Sequence, residues 1–196
     1  MRTLLLLALL LGGLHTAPAQ SSDPANPLTP AELDSFHSQA ENRIRMLEQC
    51  IQTIADKKRS REEREATIDM ALRLFVKGAT MEVSRRNGTV SSPIPIERYF
   101  RSLYALPYTD VKVTFFQAAR LSDWQQQPDG SYQATGHYFQ RTDATRNGAT
   151  VLKGDLVRKK IDVDLRLRED PFYQENHWMV LFDNVTVEAT GKLAAQ

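Results

Sequence analysis

The sequence predicts an α+β fold in which helices group on one face of an antiparallel sheet. Three observations carry this expectation. Two stretches with apolar residues at steps of three and four open the folded part. A shorter stretch of the same kind follows a turn signal. Segments of alternating apolar and polar residues, separated by turn dipeptides, fill the rest. Helices first and strands afterwards is the element order of that class.

Thr29, Pro30 and Glu32 open the first helix. Thr29 caps it, Pro30 takes the first helical position and Glu32 closes a capping box. Leu33, Phe36, Ala40, Ile44, Leu47, Ile51 and Ile54 then form one stripe, which ends near Lys57. Cys50 lies on that stripe and reads as a small buried apolar residue. It is the sole cysteine, so no internal disulfide can form.

Ser60 and Glu63 form a second capping box. Ile68, Ala71, Leu72 and Phe75 share a face of the helix that follows. Met70 and Leu74 add apolar surface, which predicts deeper burial than for the first helix. Gly78 is placed to cap its C-terminus. The charges over residues 57–65 are of mixed sign and read as a solvated corner.

Residues 79–85 alternate as a short strand, with Met81 and Val83 on one side, and Asn87-Gly88 is a hairpin turn. A third helix starts near Pro95, buries Ile96, Tyr99, Phe100 and Leu103, and stops before Pro107. Val111, Val113 and Phe115 begin the strand region. Asp129-Gly130 turns the chain into a strand over residues 131–141, and Asn147-Gly148 turns it again. Ile161, Val163, Leu165 and Leu167 alternate with Lys160, Asp162, Asp164 and Arg166, which predicts a strand wet on one face. The last strand, residues 177–188, contains the run Trp178 to Phe182, apolar on both faces. Such a strand is central and covered twice, or it lies at a subunit interface.

Residues 3–11 are an apolar run behind Arg2, too short to span a bilayer, and Ala17-Pro18-Ala19 is a small-x-small cleavage site. The expectation is a signal peptide over residues 1–19, export to the periplasm or beyond after cleavage near Ala19, and no transmembrane segment. A flexible lead-in over residues 20–28, a single domain over 29–190 and a tail over 191–196 complete the organisation. Removal of Arg2 leaves 24 basic against 24 acidic side chains. That balance gives no electrostatic footprint for nucleic acid. The triplets at Asn87 and Asn184 match glycosylation sequons, but the leader reads as bacterial and both are taken as coincidental.

The segments LFVKGATMEVSRRNG and IERYFRSLYAL, followed by the long strands, resemble the nuclear transport factor 2-like superfamily, which includes ketosteroid isomerase and polyketide cyclase relatives. The resemblance covers roughly residues 29–188 and is to exported bacterial members of unassigned role. It implies three N-terminal helices packed in the concave face of a curved antiparallel sheet, a cone with an internal pocket. It implies no particular reaction.

Chemistry is sparse. His37, His137 and His177 show no metal-ligand spacing, and neither a phosphate loop nor a nucleophile motif is present. No cofactor is expected. A ketosteroid isomerase-like site would need a carboxylate in an apolar pocket. Asp162 and Asp164 should be solvated, Glu82 should point outward, and Asp183 reads as a turn or bulge residue. His137 lies opposite Tyr132 and Tyr138 by alternation and reads as a surface histidine. The aromatics able to line a cone are Tyr99, Tyr104, Trp124, Tyr138 and Trp178. The leading expectation is therefore an exported, non-catalytic binding module, homodimeric, with a small apolar ligand or a protein partner. The alternatives are an isomerase, dehydratase or cyclase using a pocket carboxylate, and a scaffold subunit of an envelope assembly.

Overall fold

The computed structural model describes residues 27–84, 89–154, 156–169 and 176–191, with the side chains of 117–120 and 151–153 excepted. The predicted signal peptide, most of the lead-in, Asn87-Gly88 and nearly all of the tail lie outside the described residues.

Helix α1 spans Pro30–Ala55, α2 spans Arg61–Leu72 and α3 spans Ile96–Tyr104. The capping box of α1 is formed: Thr29 and Glu32 satisfy each other's backbone N–H groups. The stripe predicted for α1 is buried from Phe36 to Ile54, Cys50 included. Ser60 caps α2 by accepting from the Glu63 N–H.

Helix α2 departs from expectation. It ends at Leu72 with Arg73 as C-cap, so Gly78 is not its cap. Gly78 (φ +89°) instead serves a turn five residues further on, where only glycine is unstrained. Met70 is 48% exposed, so α2 buries only one face. Leu74 and Phe75 lie beyond the helix, in a turn that leads into a bridge to the sheet: Phe182 N–H donates to Leu74 O, and Val76 N–H donates to Phe182 O.

The strands are β1 (Thr80–Met81), β2 (Ile94–Pro95), β3 (Asp110–Leu121), β4 (Gln125–Gln126), β5 (Tyr132–Arg146), β6 (Ala149–Lys153), β7 (Leu156–Glu169) and β8 (Asn176–Gly191). They form a strongly curled sheet in the order β2-β1-β8-β7-β5-β3, with β4 and β6 attached to β5. The sheet is mixed, not purely antiparallel, because β1 runs parallel to β8. The strand predicted over residues 79–85 shrinks to two residues, and β6 has no counterpart among the predicted strands.

One face of the sheet carries the core. Val111 and Val113 of β3, Tyr132, Ala134 and Tyr138 of β5, and Ile161, Val163 and Leu165 of β7 all point to it. Helix α1 packs against β3 and β8 on this inner face. A Cβ at Gly136 would stand 2.9 Å from Ile161 Cγ2 and 3.2 Å from Leu121 Cδ2, so glycine there lets side chains of the two neighbouring strands close over β5. Asn147 and Gly148, with φ of 51° and +79°, make the two-residue turn between β5 and β6.

The apolar run of β8 has an explanation within one chain. Strand β8 is flanked by β7 on one side and by β1 and the Leu74–Phe75 segment on the other. Val180, Leu181 and Phe182 are all buried there. The centre of the run is thus covered within one chain, while Trp178 and Met179 are half-buried. Asp183 and Asn184 sit at a bulge, where the β7–β8 register shifts between Ile161 and Val163. Asn184 Oδ1 accepts from the N–H and hydroxyl of Thr80, which fixes β1 to the bulge.

Candidate functional site

Among the described residues, the inner face of the sheet carries one fully buried charged side chain. Lys159 is 2% exposed and lies in the same row as Ile161, Val163 and Leu165. Tyr138, 1% exposed, is its direct partner across β5 and β7. Side chains so paired have Cβ atoms about 5 Å apart on one face.

The Lys159 ammonium donates to Glu82 O at 3.1 Å and to Met81 Sδ at 3.2 Å, and it lies 5.7 Å from the centre of the Tyr99 ring. Three donors thus meet one oxygen, one soft sulfur and one ring face. Burial pulls the amine down to about 7, and the Glu82 charge partly opposes this. Glu82 is half-buried and does not simply point outward. Its Oε2 accepts from Val187 N–H at 2.8 Å, which clasps the end of β1 to β8.

Two tyrosines complete the cluster. Burial pushes the Tyr99 phenol up to about 12, with a hydrogen bond from Gln140 opposing. Burial, with Tyr99 nearby, holds Tyr138 well above the ordinary phenol range. Both are neutral donors at physiological pH. Phe115 of β3 stacks on Tyr138 with ring centres 4.5 Å apart. Among the described residues, the Tyr138 hydroxyl and Gln140 Oε1 are buried without a hydrogen-bond partner. Gln140 and Phe115 are themselves half-buried, so the cluster reaches towards solvent on that side.

The five aromatics expected to line a pocket fall into three places. Tyr99 and Tyr138 meet in the Lys159 cluster. Trp124 and Trp178 lie towards the other end of the sheet. Trp124 Nε1 donates to Leu33 O of α1, while Trp178 packs edge-on against Tyr132, whose hydroxyl accepts from Leu28 N–H. Tyr104 sits under the Arg64 guanidinium at 4.1 Å. Arg64 is the exception in the predicted solvated corner. It is buried, donating from Nε to Ile54 O at 2.8 Å and from Nη2 to Tyr104 O at 2.7 Å, so it closes the C-terminal ends of α1 and α3 together.

The outer face holds a second feature. Asp162, Asp183, Gln133 and Ser122 line a polar hollow of about 310 Å³. Asp164 faces outward as expected but is not solvated. It is 1% exposed, bonded by Arg166 Nη2 and by Gln133 Nε2. Burial, then the Asp164 and Asp162 charges, raise the Asp183 carboxyl. These acids are explained by Arg166 and by the bulge. His137 also lies on this face, 3.0 Å from Glu188, which Arg158 reaches as well. Among the described residues, no group of three His, Cys, Asp or Glu side chains could hold a metal ion.

Lys159 was absent from the sequence-derived candidates, although its signal was present. The alternation that buries Ile161, Val163 and Leu165 extends one step back to Lys159 and places an amine on the apolar face. Scans against protein-family models, curated proteins and solved structures each found no match.

Proposed function

We propose that the protein is an exported binding module that takes a small, largely apolar ligand inside its curled sheet, against the Tyr138–Lys159 pair. The observation that carries this reading is the buried Tyr138 hydroxyl with no partner among the described residues. An unpaired buried hydroxyl costs about 1–3 kcal/mol. Phenylalanine would avoid that cost, so a tyrosine here is accounted for by a bound acceptor. Gln140 Oε1 stands in the same condition nearby, and Phe115 and Tyr99 supply apolar walls.

In this reading the curled sheet is the cone of a nuclear transport factor 2-like fold. The order of three helices before the long strands, and the curl of the sheet, support it. The apolar run behind Arg2 and the Ala17-Pro18-Ala19 site support export. The isomerase, dehydratase or cyclase alternative needs a carboxylate acting in the pocket. Glu82, the carboxylate nearest in effect to Lys159, is engaged by Val187 N–H, which favours binding over that chemistry.

Native mass spectrometry of the protein purified from its own host tests this reading. The expected result is a reproducible small-molecule adduct on the wild-type chain, lost or weakened in Tyr138→Phe. Ligand-free protein throughout, under conditions that preserve known weak complexes, contradicts it.

A further inference from the structure

We propose that the ligand carries a carboxylate head, bound between the Tyr138 hydroxyl and the Lys159 ammonium, with its apolar remainder beside Phe115. This rests on the reading that ligand binds inside the sheet.

The argument is one of matching groups. Tyr138 offers a proton to an acceptor and has none among the described residues. Lys159 stands directly across from it with a single oxygen partner, the Glu82 carbonyl, and the sulfur of Met81. An alcohol or ketone would satisfy Tyr138 but add nothing to the Glu82 charge that offsets a proton on Lys159. An ammonium offers the Tyr138 hydroxyl no acceptor and forces Lys159 to stay uncharged. A carboxylate gives one oxygen to Tyr138 and brings a negative charge into direct reach of Lys159, where Glu82 acts only at a distance. Tyr99, neutral throughout this range, closes the site from α3 with its ring face.

A consequence separates this from generic apolar binding. The titratable groups that bear on Lys159 from neighbouring elements are Glu82 after β1, Tyr99 of α3 and Tyr138 of β5. Strand β8 brings Val187 opposite it, and Arg158 and Lys160 alternate to the other face of β7. Lys159 is therefore the group poised to gain a proton when an anion arrives. At pH 8 it is mostly neutral, and binding draws a proton from solvent, approaching one per ligand.

Isothermal titration calorimetry with octanoate, octanol and octylamine, at pH 8 in phosphate and in Tris, tests the assignment. The expected result is octanoate binding at least tenfold tighter than octanol, no octylamine binding, and buffer-dependent heats that report proton uptake. Lys159→Met should abolish the uptake and the octanoate preference while octanol binding persists. Tyr138→Phe should weaken octanoate and octanol alike. Octanol binding as well as octanoate, without uptake, overturns the carboxylate head but leaves the interior site standing. Octanoate binding unchanged in both variants overturns the assignment by placing the probe elsewhere. No binding of any probe, together with ligand-free protein by native mass spectrometry, overturns the interior site itself.

Discussion

Tyr138 and Lys159 lie directly opposite each other in the β5–β7 register, both on the face that carries the core. One is a hydroxyl without a partner among the described residues, and the other is an amine that burial discharges near neutrality. Neither arrangement favours folding, and their adjacency is the basis of the functional reading.

The amine makes stability depend on pH. Its value is about 7 in the fold, against an ordinary value of 10.5. Between these limits the unfolded chain binds the extra proton, so stability rises as pH rises from 7 towards 10. The full difference is on the order of 5 kcal/mol. Above pH 10 the unfolded tyrosines ionise before the buried Tyr99 and Tyr138, and stability falls again. Urea titrations from pH 6 to 11 should show this rise and fall. In Lys159→Met the rise between 7 and 10 should be absent, and the variant should be more stable than wild type at pH 7.

Gly154 is required by contact, not by backbone angle. A Cβ there would stand 2.1 Å from Thr142 O, a backbone atom that cannot move aside. Gly154→Ala should lose about 3 kcal/mol and loosen the junction of β6 and β7 along β5. Gly148→Ala meets no atom within 4 Å and is strained only by its φ of +79°. It should cost about 1 kcal/mol, and chemical denaturation of the two variants separates the mechanisms.

The parts legible in the sequence were those set by local pattern. The α1 cap, the α1 stripe, the apolar face of α3 and the turns at Asp129-Gly130 and Asn147-Gly148 depend on residues near one another. What stayed hidden depends on distant partners. The end of α2 is decided by Phe182, which draws Leu74 and Val76 into backbone bonds with β8. Asp164 is buried because Arg166 and Gln133 cover it. Arg64 looked like one more charge in a solvated run, and only the fold brings two helix ends within its reach. Of the five proposed pocket aromatics, alternation alone could not show that two meet at Lys159 and three lie elsewhere.

Arg64 should matter more than its neighbours. Arg64→Ala removes two charged hydrogen bonds to helix-end carbonyls, one buried and one half-buried, and should cost about 3 kcal/mol. Arg59→Ala, which breaks only exposed pairs with Asp56 and Glu63, should cost under about 0.5 kcal/mol. Thermal or urea unfolding of the two variants checks the contrast. Equal effects would mean that Arg64 does not hold the ends of α1 and α3.

The most direct test of the central claim is the urea unfolding free energy of ligand-free Tyr138→Phe against wild type. If the hydroxyl is held unpaired for a ligand, its removal should leave stability unchanged or raise it by about 1 kcal/mol, while ligand retention falls. A variant destabilised by 1 kcal/mol or more, with no change in what the protein binds, would show that the hydroxyl serves the fold and would contradict the account.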